Sequence, residues 1–511
     1  MKTRRIFSLS LAALVATTGL LFQSCTDLEE KALDGVRQES AETQYAVSND
    51  DAGDLLAGAY ANLRGAYQAE NSLVVLGEHT TDALVGPTRG GDWDDNGVFR
   101  ALHTLTYAPD HLFNRDTYTN LLSYINQCNF VLGASPSTQQ EAEARFLRAM
   151  HYYHVIDLWG QAPYREIGSD PNENALVRSR AEATDWVISE IEAVVGNLPA
   201  SDPTKANQNA AHWLLAKLYL NKGVFKADNP AGPYTFDNAD MAQVVSHVDA
   251  ITGKSVAADY WDNFIPLNTE TSSEIILVSQ NFLGGPVGNI QSRWRMTQHY
   301  NQNPSGWNGF ATTAEYYNKF DSEDIRIKKY FDDVTENSGY NVGFQVGQQY
   351  GPGGTEQLFD RPGNPLIFTP SVTLITGGSS LETAGIRGIK YKPDYNNVDN
   401  PNNDMVIARY ADALLMKAEA MARMGDTPGA QALVQQLPNE SSTTISSVDN
   451  ILDVRARELW WEGWRRNDRI RFGIYLSPRE LKNYESDPRS VLMPIPADAL
   501  ANPNIAQNPG Y

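Results

Sequence analysis

Helical hydrophobic spacing fills both ends of this 511-residue chain and disappears between residues 253 and 400. That contrast limits the fold more than any single motif. Amphipathic helices bury their stripes only against other elements, so two helical ends demand a packed helical body. Residues 141–160 are the strongest case: Phe146, Met150 and Tyr153 share one face, and Leu147, His151, His154 and Leu158 another. Gly160 and then Pro163 mark the stop. Similar spacing predicts helices over 49–67, 117–132, 181–195, 209–222, 241–252, 408–424 and 448–472. Short connections favour antiparallel hairpins. No clean repeat of about 34 residues with the tetratricopeptide consensus is visible, so spacing alone gives helix pairs rather than a named solenoid.

Between 253 and 400 Gly, Pro and Asn become frequent, and β-type runs stand at 274–279 and 371–376. A long irregular insert on a helical body tends to carry binding function. Pro494, Pro496, Pro503 and Pro509 force an extended C-terminal stretch, because proline denies helix to itself and its predecessor.

The N-terminus reads as an address. Lys2, Arg4 and Arg5 precede an apolar run to Phe22, interrupted by Thr17, Thr18 and Gly19, and the run ends at Ser24-Cys25. A basic start, an apolar middle and a small residue before the cut describe a secretory signal, too short and poorly flanked to span a membrane. The site resembles that of bacterial lipoproteins, in which Cys25 becomes the acylated first residue; the alternative is an ordinary signal with a chance cysteine. Each buried methylene contributes about 0.8 kcal/mol, so two or three acyl chains hold firmly. Asp27, Glu29 and Glu30 then form a solvated acidic tether, which resembles the surface-export signal of Bacteroidetes lipoproteins. The expected layout is a signal at 1–24, a tether at 25–45, a helical region at 46–252, and a region at 253–511 with the loop-rich insert 253–400 and closing helices 405–475.

Net charge is −21, and loss of a leader with three basic and no acidic residues takes it to −24. Such a field repels phosphate backbones, so no nucleic-acid partner is expected. With Cys25 lipidated, Cys128 is the only other cysteine, so no intrachain disulfide is possible. Its place in Asn-Gln-Cys-Asn-Phe reads as a small buried apolar group.

Several separated motifs, in order, resemble the SusD/RagB family. They are Phe146-Leu147-Arg148-Ala149 running to Gly160, Arg409-Tyr410-Ala411-Asp412 with Glu419, and the run from Arg455 to Gly473 containing Glu458, Trp460, Trp461, Glu462, Gly463 and Trp464. Met493-Pro494-Ile495-Pro496 and the Gln507-Asn508-Pro509-Gly510-Tyr511 tail complete the set. The resemblance implies a mainly α fold in which tetratricopeptide-like helical hairpins pack against an irregular, loop-rich ligand-binding half with a few short strands. It also implies a lipid-anchored outer-membrane protein at the cell surface that captures glycan and passes it to a SusC-like TonB-dependent transporter. A peptide-capturing RagB-like protein is the second reading. Phe99 and Tyr107 depart from the Trp expected in the subgroup carrying Pro-Thr-Arg-Gly, and Arg469 from the usual apolar residue.

The richest local cluster runs from Pro87 to Gly97, with Arg89, Asp92, Trp93, Asp94, Asp95 and Asn96. A flat Trp stacks on the apolar face of a sugar while Asn, Asp and Arg bond its hydroxyls. The resemblance carries ligand contact onto Arg89, Trp93 and Asn96, and onto Tyr300 and Trp307 in the opposite wall. A tight structural loop with Trp93 plugged into the core is the alternative for the first group, and anchoring of irregular chain for the second.

Other chemistries find less. Asp92-x-Asp94-x-Asn96-Gly97 fits half an EF-hand, but position twelve is His103 where a bidentate Glu is required. His151 and His154 are three apart and lack the zinc-peptidase glutamate and spacing, so they read as core histidines and no metal is expected. Glu458 and Glu462 have Arg455, Arg465 and Arg466 at helical neighbour spacing, and Asp468 has Arg465 and Arg471, which predicts an ion-pair ladder along one helix. No Gly-x-Ser-x-Gly, phosphate loop or dinucleotide fingerprint occurs, so neither cofactor nor enzyme activity is expected. A glycosidase built on Asp92, Asp94 and Asp95 is the rival from another class, and a plain helical scaffold the third.

Overall fold

Ser137 shows how local chemistry sets the helical body. Its hydroxyl accepts from the Gln140 amide, and the Gln140 side chain accepts from the Ser137 N–H at 2.9 Å, a reciprocal cap that starts a 22-residue helix. That helix ends where Gly160 takes φ 72, a conformation open to glycine at little cost. The computed structural model describes residues 51–511 except 171, 283, 284 and 286; the signal, Cys25 and the acidic tether lie outside the described residues.

The first helices are α1 (Ala52–Leu63), α2 (Leu73–Glu78), α3 (Val98–Thr104), α4 (Leu112–Gly133), α5 (Thr138–Trp159), α6 (Arg180–Val194), α7 (Gln208–Phe225) and α8 (Asn238–Asp249). Neighbours in sequence pack as neighbours in space: α4 on α5, α5 on α6, α7 on α8, with α1 against α4. α5 is buried nearly all round, from Phe146 and Leu147 to Leu158 and Trp159. His151 and His154 are core residues, as their helix demands; the His154 imidazole meets the Tyr67 hydroxyl at 2.7 Å, and burial pushes both rings down to about 3. Cys128 is also fully buried, and burial pushes its thiol up to about 12, which keeps it inert.

Strands are few and short: β1 (Ala162–Tyr164), β2 (Leu176–Arg178), β3 (Ile275–Ser279), β4 (Lys328–Lys329), β5 (Val342–Gln345), β6 (Gly347–Gln348), β7 (Ile367–Phe368), β8 (Arg387–Ile389) and β9 (Met405–Arg409). They pair antiparallel as β1-β2, β3-β9, β4-β5-β8 and β6-β7. The run at 274–279 forms β3, but 371–376 is irregular loop: Val372 and Ile375 pack into a small cluster with Val85 and Ala311 without ladder bonding. Segments Asp51–Ile167 and Asn174–Tyr511 make one contact-rich unit, while Gly168–Glu173 belongs to another and bends on its own Asp170 carbonyl.

The C-terminal helices are α9 (Tyr410–Arg423), α10 (Thr427–Val434), α11 (Asp449–Glu458) and α12 (Arg465–Arg471). The expected single helix over 448–472 is thus two, broken at Leu459–Trp464, where Trp461 has φ 57 and Gly463 φ 88. The break redirects the ion pairs. Glu458 and Glu462 reach Arg409 at 2.8 Å, Glu458 also meets Arg326 at 3.0 Å, and Glu462 meets Lys390 at 2.9 Å. Arg465 goes to Asp82 at 2.7 Å and Arg466 to Asp157 at 3.2 Å. Of the expected ladder, the Asp468–Arg471 rung stands at 2.7 Å. The network ties distant segments instead of bracing one helix.

Candidate functional site

The loop after α2 is held to the insert by backbone bonding before any side chain acts. Val85 and Ala311 exchange two bonds, of 2.8 and 2.9 Å, and Arg89 and Asp92 close a tight turn through Gly90. Trp93, Asp95 and Asn96 all take positive φ, which projects Asn96 into solvent. From the other side, residues 295–310 fold back on themselves. The N–H groups of Trp307, Asn308 and Gly309 reach the carbonyls of Arg295, Gln298 and Met296 at 2.6–2.9 Å. Asn308 is then locked by Arg387 at 2.8 Å.

Three of the expected residues stand where these walls meet, and a fourth, Asn96, lies at the exposed tip of the loop. Trp93 donates its indole N–H to the Trp307 carbonyl at 2.7 Å, and its ring packs on Phe310 (5.0 Å) and Phe99 (5.6 Å). It lies against Gly309, where an added Cβ would sit 2.6 Å from the ring. Trp93 is thus plugged into the core in part, with the rest of its half-buried side chain left facing out. Trp307 is half-buried, and among the described residues no aromatic or cationic group covers its ring. Tyr300 donates its hydroxyl to Asp92 at 2.9 Å; burial, then that carboxylate, push the phenol up to about 12. Asn96 is exposed at the loop tip beside the Asp94–Arg100 pair.

Arg89 is the correction. Its relative exposure is 0%, and its guanidinium donates to the carbonyls of Gly309 (3.1 Å), Leu381 and Ala384 (2.7 Å). A loop arginine flanked by glycines reads as a surface contact. Here three carbonyls from the insert converge on it, so it braces the wall from behind. Burial, then Arg387, hold its pKa well below the usual guanidinium range.

Sequence reasoning missed the charged half of the site. Arg361 lies over the Tyr300 ring at 4.5 Å, meets Asp92 at 3.0 Å, and reaches Glu382 at 3.2 Å. Glu382 also takes His299 at 2.8 Å and the Arg361 amide at 3.1 Å. Burial opposes ionisation of Glu382, but the Arg361 amide, His299 and the Arg361 guanidinium prevail and hold its carboxyl below the ordinary value. Asn301 donates to the Phe359 carbonyl at 2.8 Å, fastening the loop that carries Arg361. The EF-hand reading fails on geometry as well as sequence, since His103 is buried in α3 with its Nε2 on the Glu480 carbonyl.

The arrangement brings half-buried rings together with half-exposed hydrogen-bonding and charged groups. A separate cavity of about 330 Å³, lined by Asn229, Pro230, Asp487, Arg489, Leu492 and Asn508 among others, shares none of these residues. Among the described residues no group of three or more His, Cys, Asp or Glu is placed to hold a metal ion. No helix among them is long and apolar enough to cross a membrane.

A helical-hairpin body whose irregular insert presents aromatic and polar side chains defines a binding protein in the mould of the SusD superfamily. Comparison agrees: the SusD family model matches residues 252–511, half of the chain, and the chain belongs to that family. It is 26% identical to the starch-binding protein SusD of Bacteroides thetaiotaomicron over 472 residues, covering 82% of each chain. A SusD superfamily protein of Parabacteroides distasonis superposes with a TM-score of 0.67 at 18% identity, over 90% of this chain and 98% of that one. Surface glycan-binding protein A of B. thetaiotaomicron, solved with laminarihexaose, gives 0.63 at 18% identity over 89% and 98%. These last two likenesses establish the fold.

Proposed function

We propose that this protein captures glycan at the surface of the outer membrane and delivers it to a SusC-like TonB-dependent transporter, without altering the cargo. The observation that carries the reading is the half-buried Trp307, tied across two walls to the half-buried Trp93, with Tyr300 bonded to Asp92 of the loop whose exposed tip is Asn96. Sugar rings offer apolar faces and hydroxyl edges, and this surface offers aromatic faces and polar edges. Trp307 and the outer part of Trp93 form the platform, Tyr300 and Asn96 flank it, and Arg89 keeps the wall in shape. The anchoring part of the proposal rests on the Ser24-Cys25 site and the acidic residues after it, which lie outside the described residues.

The SusD relative is named for starch and the glycan-binding neighbour was solved with laminarihexaose, which favours glycan over peptide. Peptide capture would use strand edges for backbone bonding, and β6 and β7, at the edge nearest Phe359, are two residues each. Isothermal titration against a panel of neutral and acidic oligosaccharides tests the proposal. Binding of at least one glycan, weakened in a Trp307→Ala variant, is expected; failure of every glycan, with retention of peptides, would overturn it. Labelled fatty acid should attach to the full chain and not to Cys25→Ser.

A further inference from the structure

Tyr300 is not free to act as a second stacking surface on the face where Arg361 sits, since the guanidinium lies 4.5 Å from its centroid. That observation reassigns the residue and exposes a different recognition element. Asp92 Oδ2 accepts from the Tyr300 hydroxyl (2.9 Å) and forms an ion pair with Arg361 Nη1 (3.0 Å). Arg361 Nε is spent on Glu382 at 3.2 Å. What remains unpaired among the described residues is Arg361 Nη2, a donor, and Asp92 Oδ1, an acceptor. Both belong to half-exposed side chains: Arg361 is 48% exposed and Asp92 44%.

The geometry points to the Arg361–Asp92 pair as the hydroxyl-reading element of the site, one that selects glycans with a free vicinal diol and a neutral ring over acidic ones. This rests on the capture reading above. A fixed donor beside a fixed acceptor matches two adjacent hydroxyls, one accepting from the guanidinium and the other donating to the carboxylate. The pair is preorganised: Arg361 has three separate holds, and the Asn301–Phe359 bond pins its loop. Charge supplies the selection. Arg361 sits between two carboxylates, Asp92 and Glu382, so the trio carries a net negative charge. Asp94 and Asp95 add exposed negative charge on the facing loop, and of these Asp94 is partly offset by Arg100 at 3.3 Å. Two further guanidinium groups, Arg89 and Arg387, stand behind the wall, but both are fully buried; they donate to carbonyls and to Asn308, and the one unpaired donor, Arg89 Nη2, is closed off from solvent. Burial drives Arg387 down to about 9, and they offer an arriving anion no direct contact. A uronate or sulfate reaching Arg361 Nη2 would meet a guanidinium already paired with two carboxylates, and would pay repulsion at the rim that a neutral hydroxyl does not.

The test titrates the whole protein with maltohexaose, whose internal residues keep a free 2,3-diol, with its O-methylated form, with laminarihexaose, whose 1,3 linkage leaves internal residues no vicinal diol, and with oligogalacturonate of matched length. Wild type should bind maltohexaose at least about tenfold more tightly than its methylated form or the uronate, the worth of one charge-assisted bond, and more tightly than laminarihexaose. Arg361→Ala and Asp92→Asn should each lose about tenfold on the neutral sugar and no longer tell it from its methylated form, with melting curves unchanged because both side chains are half-exposed. Asp92→Asn should also raise affinity for the uronate. Variants that bind and discriminate as wild type does, or equal binding of neutral and acidic sugars, would overturn the assignment while leaving glycan capture intact. Failure of wild type to bind every one of these sugars would remove the capture reading and this inference with it.

Discussion

The indole N–H of Trp93 donates to the main-chain carbonyl of Trp307 at 2.7 Å, joining residues 214 apart in the chain. With the Val85–Ala311 pair and the Arg89–Gly309 bond, it ties the loop after α2 to the folded-back segment 295–310. Trp93→Phe keeps a ring for packing on Phe310 but deletes the donor, leaving that carbonyl without its partner. Glycan affinity should fall by about tenfold, consistent with loss of one buried bond worth about 1–1.5 kcal/mol. Titration calorimetry on wild type and variant checks it.

Gly309→Ala tests the same wall by steric means. The new Cβ would stand 2.6 Å from the Trp93 ring, inside van der Waals contact, so the indole must move. Overpacking of this kind costs about 1–3 kcal/mol. Trp fluorescence should shift and glycan affinity should drop, with the far-ultraviolet circular dichroism of the helical body retained.

How far the sequence revealed all this depends on whether the signal was local. Helix α5 was legible because its buried stripe and Gly160 lie within one stretch of chain, although the Ser137 cap starts it three residues before the 141–160 read from spacing. The break between α11 and α12 was hinted at by Gly463, but Trp461 at φ 57 has no sequence signature, so helical spacing of charges carried the reading past it. Trp93, Tyr300 and Trp307 stood out as large rings in irregular loops. Arg89 misled for the opposite reason: its three carbonyl partners lie 220 to 295 residues away. Arg361 and Glu382 were invisible for the same cause, since each is one polar residue whose meaning comes from tertiary neighbours.

Gly463 makes the helix break a conformational matter. An added Cβ there would meet nothing within 4 Å, yet φ is 88. Gly463→Ala should therefore destabilise by about 1 kcal/mol or somewhat more through backbone strain alone, with no clash to relieve. Urea denaturation with an unchanged m-value is the expected result.

Glu78 gives a pH signature. It is fully buried, accepts from the Gly463 N–H at 2.7 Å through Oε1, and leaves Oε2 without a partner among the described residues. Burial pushes its carboxyl up to about 8, against the bond from Gly463 and the charge of Arg465. A carboxyl whose folded pKa exceeds its unfolded value favours the folded state only while protonated. Its contribution is present below about 4.5 and is lost as pH rises from there to about 8, at up to about 1.4 kcal/mol per pH unit. Glu78→Gln should flatten that decline and equal or exceed wild type in stability at pH 8, as read by melting temperature across pH 5–8.5.

Acid should act through a different group. Glu419 is buried between Arg471 (2.7 Å) and Arg423 (2.8 Å); burial opposes its ionisation, but those cations hold it down at about 2. Its folded pKa is depressed, so its stabilisation is complete above about 4.5 and drains as pH falls toward 2. Glu419→Gln should leave two buried guanidinium groups undercompensated, cost about 3–5 kcal/mol at pH 7, and lose less than wild type does on acidification.

The central claim is that the Trp307 surface holds sugar, and a crystal structure with a bound neutral oligosaccharide tests it most directly. The expected density is a pyranose ring stacked on Trp307, with adjacent hydroxyls within hydrogen-bond distance of Arg361 Nη2 and Asp92 Oδ1. A sugar seated in the cavity between Pro230 and Arg489 instead, with the Trp307 face bare at saturating ligand, would contradict the account.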